Sequence, residues 1–162
     1  DVERFKAKHN IPLLIKGVMT AEDAVIACDL GVDGVWVSNH GGRQLDQAQG
    51  ALAVLPEIVD AMEDRAAVIV DGGFLRGTDV IKAIALGADV VGLGRLTAIG
   101  LGAGGEEGLS RAMDLLAEEM QIAMGLLGLT RLDQLGPECV TAAPVADAPD
   151  VLSAFPLLDP NR

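Results

Sequence analysis

The sequence predicts an α/β fold in which four strand–helix units follow one another, half of an eight-stranded parallel barrel. Three observations carry that prediction: four short apolar runs rich in β-branched residues, helical patterns between them, and an internal repeat that returns 56 residues later, from Asp23 to Asp79. Apolar on both faces, the runs Leu13-Leu14-Ile15-Lys16-Gly17, Val35-Trp36-Val37-Ser38, Val68-Ile69-Val70-Asp71-Gly72 and Val90-Val91-Gly92-Leu93-Gly94 suit buried parallel strands.

Between the first two runs, Thr20 reads as a helix N-cap with Asp23 at the third helical position, and Gly31 closes that helix. Residues 51–62 form a second helical pattern, and residues 78–86, ended by Gly87, a third. The repeat aligns Asp23-Ala24-Val25 through Leu30-Gly31-Val32-Asp33 with Asp79-Val80-Ile81 through Leu86-Gly87-Ala88-Asp89, two strand–helix units per copy. A period that long marks a barrel or layered α/β array, and four units are half of a barrel that typically takes about 250 residues.

After the fourth run, Gly100 to Gly105 reads as a loose loop, followed from Glu106 by a long helix. Leu109, Met113, Leu116, Met120, Ala123 and Leu127 form its apolar stripe, expected in the core, with Glu118 and Glu119 facing outward. Gly128 ends that helix, and Thr130 with Asp133 caps a short further one. From Pro137 the chain is rich in Pro, Ala and Asp, which predicts an irregular tail over 137–162 packed on a barrel unit of residues 1–136.

Composition bounds the function. Half of the 162 residues are hydrophobic, enough for one globular core. A formal charge of −12 repels phosphate backbones and anionic lipid surfaces, so neither nucleic acid nor a membrane is an expected partner. Cys28 and Cys139 stand far apart without a CxxC or a nearby histidine, which signals neither a metal site nor a disulfide framework and suits a reducing, cytoplasmic setting. No apolar run approaches the roughly 20 residues that span a bilayer. Asp1-Val2-Glu3-Arg4-Phe5 resembles neither a signal peptide nor a translation start, so the chain is expected to begin within a longer protein. With no tyrosine and 2% aromatics, a flat ligand must be held by backbone and aliphatic contacts, or by residues elsewhere.

In a parallel barrel the active site gathers at the carboxyl ends of the strands, and each run here ends in chemistry: Lys16, then Ser38 to Arg43, then Asp71-Gly72-Gly73, then Gly94-Arg95. Strand parity puts Ser38 and His40 on one side, toward the barrel mouth. Trp36 shares that parity, though core packing is its preferred placement, and His9 is expected at the surface. Histidine titrates near neutrality and suits a general base. Arg43 offers a planar fork for a substrate carboxylate; the bland reading has His40 capping a glycine turn and Arg43 pairing with Asp46. Lys16, costly to bury alone, meets a bound anion or electron-rich ring, or else reaches to the rim. The two glycine loops, with Arg95, suit a phosphorylated cofactor held by backbone amides and a helix N-terminus.

Over roughly residues 11–140 these motifs resemble the FMN-dependent α-hydroxy acid oxidases and dehydrogenases, the family of glycolate oxidase, lactate oxidase and mandelate dehydrogenase. Ser38-Asn39-His40-Gly41-Gly42-Arg43-Gln44-Leu45-Asp46 is the most specific piece. Leu14-Ile15-Lys16-Gly17, Asp71-Gly72-Gly73 with Arg76-Gly77-Thr78-Asp79, and Gly94-Arg95 support it. The resemblance implies the C-terminal half of a (β/α)8 barrel that binds FMN and oxidises a 2-hydroxy acid to a 2-oxo acid. It makes His40 the base and Arg43 the carboxylate clamp, sets Lys16 against the flavin N1 and C2 carbonyl, and puts Ser38 on the ring. Asp71, Gly72, Gly73, Arg76, Gly94 and Arg95 then serve the ribityl-phosphate site. The full-length protein is expected to be a homo-oligomer.

Two departures bear on that implication. Many family members carry an arginine directly before the position of Arg76, where this chain has Leu75; losing one charge-assisted hydrogen bond costs about 1.5–3 kcal/mol, so weaker flavin binding is expected. The first four strands are also missing, which predicts that the chain alone is inactive. Other readings are a different FMN- or phosphate-binding barrel, of the IMP dehydrogenase or glutamate synthase kind, and a non-catalytic half-barrel.

Overall fold

The computed structural model describes residues 1–143. Helix α1 (Val2–Lys8) leads into strand β1 (Leu14–Val18), then α2 (Ala21–Asp29), β2 (Gly34–Val37), α3 (Ala51–Met62), β3 (Ala67–Asp71), α4 (Gly77–Ala85), β4 (Val90–Gly92) and α5 (Arg95–Leu127). The strands form one parallel sheet in the order β1-β2-β3-β4. Each β-branched run is therefore a strand, within a residue or two of its expected ends.

The two faces of the sheet differ. Val35, Val37, Val68 and Val70 point into a core shared with Ala24, Ala27, Leu55, Ile58 and Met62 of α2 and α3. Each fully buried side chain of this kind contributes about 1.5–3 kcal/mol. The alternate positions, Leu14, Lys16, Trp36, Ile69 and Val90, lie on the opposite face in register rows, Lys16 beside Trp36, Trp36 beside Ile69, and Ile69 beside Val90. Leu14 is 46% exposed and Val90 51%, so that face is open at both edges.

The sequence repeat has a structural counterpart at the amino ends of the strands. Asp33 accepts a hydrogen bond from Leu13 N at 2.8 Å and donates its own N–H to Leu13 O at 2.9 Å. Asp89 makes the same pair with Val68, at 2.8 and 2.9 Å. Lys6, on the unforeseen helix α1, adds an ion pair to Asp33 at 3.0 Å. The Leu13 amide first, and Lys6 after it, hold the Asp33 carboxyl below its usual range. As expected, Thr20 Oγ1 accepts from Asp23 N at 3.2 Å.

The long C-terminal helix departs from expectation in three ways. Residues 100–103 are helical, and only Gly104 and Gly105 break the helix, at a kink. There is no extended loop, because the kink lets Gly100 fold back onto Gly108 at backbone contact. Met113 and Leu127, placed in the core from spacing alone, are exposed, whereas Leu116 and Met124 are buried. Glu119 does not face outward: it accepts from Arg76 Nε at 2.7 Å and from Gly77 N at 2.6 Å, fastening α5 to the start of α4. Helix α4 can come this close because residue 77 has no side chain; a Cβ there would stand 2.5 Å from Leu116 O. Further on, Gln134 rather than Asp133 anchors the short turn, accepting from Thr130 N at 2.9 Å, while Asp133 pairs with Arg131. A 3-10 turn at Pro137–Cys139 begins the tail, and residues 144–162 lie outside the described residues. Among the described residues no helix is long and apolar enough to cross a membrane.

Arg76, and next the Gly77 amide, hold the Glu119 carboxyl below its ordinary value of 4.5. A depressed carboxyl stabilises the fold above the unfolded-state value, and that contribution fades as pH falls through the lowered folded-state value. Glu119→Gln in the full-length protein is therefore expected to lower the melting temperature at pH 7, with the gap to wild type closing below about pH 4.5. Parallel melting curves across pH 3–7 would contradict this role.

Candidate active site

The carboxyl ends of all four strands open into one cleft of about 820 Å³. Lys16 comes from β1, His40 and Arg43 from the segment after β2, Asp71, Gly72 and Gly73 from the end of β3, and Gly94 and Arg95 from the start of α5. Eight of the ten residues singled out in the sequence thus line a common space. Three fixed positive charges face one carboxylate there, in a chain whose formal charge is −12.

Local sequence explains each placement. Ser38, directly after β2, is 1% exposed, and its hydroxyl accepts from Lys16 Nζ at 2.8 Å and from His40 N at 3.2 Å. Buried beneath the cleft, it ties the lysine to the histidine segment. Asn39 caps that segment, accepting from Gly41 N at 2.9 Å and donating to Gln49 O at 3.2 Å. His40 has a φ of 55°, a left-handed conformation that histidine adopts more readily than most side chains. Its imidazole and the Arg43 guanidinium have no hydrogen-bond or ion-pair partner among the described residues. Asp46 does not pair with Arg43; its carboxylate accepts from Gln47 N at 2.9 Å.

The imidazole lies on Gly17. The register of β1 against β2 slips between Lys16 and Val18, and Gly17 sits in that bulge with a φ of 98°. A Cβ at position 17 would stand 2.8 Å from His40 Cε1, so only glycine leaves the ring its seat.

Lys16 is held on three sides. Besides Ser38, its ammonium pairs with Asp71 Oδ2 at 2.9 Å and lies 4.9 Å from the centroid of the Trp36 ring. Trp36 is half-buried in the cleft rather than packed among the helices, because parity sends Val35 and Val37 to the helical face instead. Its Nε1 is buried without a partner among the described residues. The parity shared with Ser38 was the signal for this placement.

Arg76 is not brought to the cleft. Glu119 claims its guanidinium at 2.7 Å, and Arg76 is not among the residues that line the cleft. With leucine at position 75, Arg95 is the remaining guanidinium among the candidate phosphate contacts. It opens α5 beside Gly73, where a Cβ would stand 3.7 Å from Arg95 Nη2. The donor set fits a phosphorylated, electron-rich cofactor: a helix N-terminus with an arginine at one end, an ammonium at the other, and glycine backbone between.

Fold and cleft thus define an α/β protein with a cleft at the carboxyl ends of its strands, lined by Lys16, Arg43 and Arg95. The chain belongs to the FMN-dependent dehydrogenase family, whose model matches residues 1–142. A peroxisomal (S)-2-hydroxyacid oxidase of Arabidopsis thaliana is 46% identical over 135 residues, covering 83% of this chain and 37% of that protein. An L-lactate oxidase of Nostoc sp. is 44% identical over 135 residues, covering 83% of this chain and 37% of that protein. Among solved structures, a mandelate oxidase variant with (S)-mandelic acid superposes with a TM-score of 0.79 at 45% identity, over 82% of this chain and 39% of that one. The chain therefore spans little more than a third of the length of these relatives.

Gly17→Ala in the full-length protein is expected to cost more than about 1 kcal/mol of stability, from the positive φ together with the clash on His40. Adding His40→Ala removes the clash and should restore part of that loss in thermal melts. Strict additivity of the two substitutions would show that the ring does not rest there.

Proposed function

We propose that this chain supplies the catalytic half of a flavoenzyme that oxidises a 2-hydroxy acid of the lactate, glycolate or mandelate type to the 2-oxo acid. Its sheet is then the C-terminal half of a (β/α)8 barrel built by residues 1–136, with 137–162 as a tail. The observation that carries the reading is the convergence on one cleft, at the strand carboxyl ends, of the Lys16 ammonium with an imidazole and a guanidinium that have no partner among the described residues. The exposure of Leu14 and Val90 at the sheet's two edges supports this reading, since further strands could pair there, and so does the match to only 37% of a related oxidase.

FMN, when bound, supplies the acceptor for the two electrons that leave the substrate. Arg95, the α5 N-terminus and the Gly72-Gly73 backbone would hold its phosphate, and Lys16 would lie against its ring. Arg43 binds the substrate carboxylate through its planar fork, fixing which face of the molecule meets His40. His40 accepts a proton from the substrate at an imidazole nitrogen; its freedom from other partners leaves both lone pair and orientation available for that contact. Lys16 balances the negative charge that accumulates as the electrons arrive, a role for a fixed cation that needs no reorganisation during the reaction. Ser38 and Asp71 keep the ammonium in place. With Leu75 and Arg76 contributing no charge at the cleft, affinity for the phosphate depends mainly on Arg95.

Purified full-length protein should show flavin absorbance that bleaches when a 2-hydroxy acid is added anaerobically. His40→Ala should abolish bleaching while retaining the flavin, and Arg43→Lys should raise KM more than it lowers kcat, since a lysine cannot grip a carboxylate bidentately. A His40→Ala protein that is reduced as fast as wild type would remove the assigned base, and a flavin-free full-length protein would sink the whole reading.

A further inference from the structure

We propose that Trp36 is a positioning residue for Lys16: its indole floors the cleft and fixes the ammonium at the carboxyl edge of the sheet, setting the positive potential that the site presents to its cofactor. The inference rests on the flavin reading above and concerns a residue to which the family resemblance gives no role.

Four observations support it. Register places Trp36 directly between Lys16 and Ile69, on the open face of the sheet. The Lys16 ammonium lies 4.9 Å from the ring centroid, within the range where the negative face of an indole attracts a cation. Ser38 and Asp71 fasten the same ammonium through oxygen contacts at 2.8 and 2.9 Å, so the indole closes a further side of its cage. Finally, the ring has a slot made for it: a Cβ at Gly92 would stand 2.9 Å from Trp36 Cζ2 and 3.2 Å from Asp71 Cβ. Glycine at 92 is thus what lets the indole and the Asp71 carboxylate occupy the cleft floor together.

Hydrogen bonding does not account for the ring's place, since Nε1 has no acceptor among the described residues. The slot and the cation do. Asp71 alone would draw the ammonium toward the end of β3 and neutralise it. The indole face attracts it without adding a negative charge, so the cleft keeps more of its positive potential.

Sulfite titration of the full-length flavoprotein reads this potential directly, because the adduct places negative charge on the flavin ring and a nearby cation stabilises it. Trp36→Leu, and independently Gly92→Ala, which displaces the ring without removing it, should each raise the sulfite dissociation constant roughly two- to fivefold. Trp36→Phe, which keeps an aromatic face, should stay close to wild type. In a Lys16→Met background, Trp36→Leu should have no further effect. An unchanged constant in Trp36→Leu while Lys16→Met weakens sulfite binding would overturn the inference and leave the flavin reading standing, as would equal weakening by Trp36→Leu with and without the lysine. No response to Lys16→Met itself would instead overturn the placement of Lys16 at the flavin, and the inference with it.

Discussion

The Lys16 ammonium is a positive charge that a strongly acidic chain has to keep at the end of an apolar strand, and much of the cleft is arranged around holding it there. A single lysine at a strand end would otherwise turn to solvent, since desolvating an ammonium without partners is expensive. Here a buried hydroxyl, a carboxylate and an indole face meet it from three neighbouring positions. The indole and the carboxylate come from paired positions of a parallel sheet and the hydroxyl from the residue directly after β2, which is why the architecture and the electrostatics cannot be separated. Moving one strand by a single residue would send Trp36 and Lys16 to opposite faces.

Glycine geometry does the complementary work of clearing space. At Gly17 a strand bulge with positive φ seats the His40 ring, and at Gly92 a missing side chain admits the indole beside Asp71. The same absence recurs at Gly77, where it serves packing between α4 and α5 rather than the cleft. Cleft side chains therefore sit at strand ends or in the segment directly after one, with neighbouring side chains absent where the His40 ring and the indole lie. Among the described residues His40 and Arg43 have no internal partner, which leaves both groups free to meet a bound molecule.

The strands, the helices α2, α3 and α4, and the gathering of Lys16, His40, Arg43, Asp71 and Arg95 were legible in the sequence because they follow from local rules: β-branched runs, caps, and chemistry at strand ends. What sequence did not reveal depends on contacts distant along the chain. Arg76 resembles a phosphate ligand until Glu119, more than forty residues later, is seen to hold it. Three- and four-residue spacing alone does not separate Met113 and Leu127, which are exposed, from Leu116, which is buried where α5 meets α4 at Gly77. Trp36 was legible by parity with Ser38, but an aromatic residue in a β-branched run equally suits a core, and nothing local distinguishes the two faces of a buried strand.

On the proposed flavin reading, leucine at position 75 and the engagement of Arg76 by Glu119 leave Arg95, the α5 amides and the Gly72-Gly73 turn as the groups that would meet the phosphate. That distribution makes a sharp demand on selectivity between flavins with and without phosphate. The most direct measurement is a titration of full-length apoprotein with FMN and with riboflavin, in wild type and Arg95→Gln. Wild type should prefer FMN, and the substitution should reduce that preference roughly ten- to hundredfold. Equal affinity of the wild type for both flavins would contradict the account.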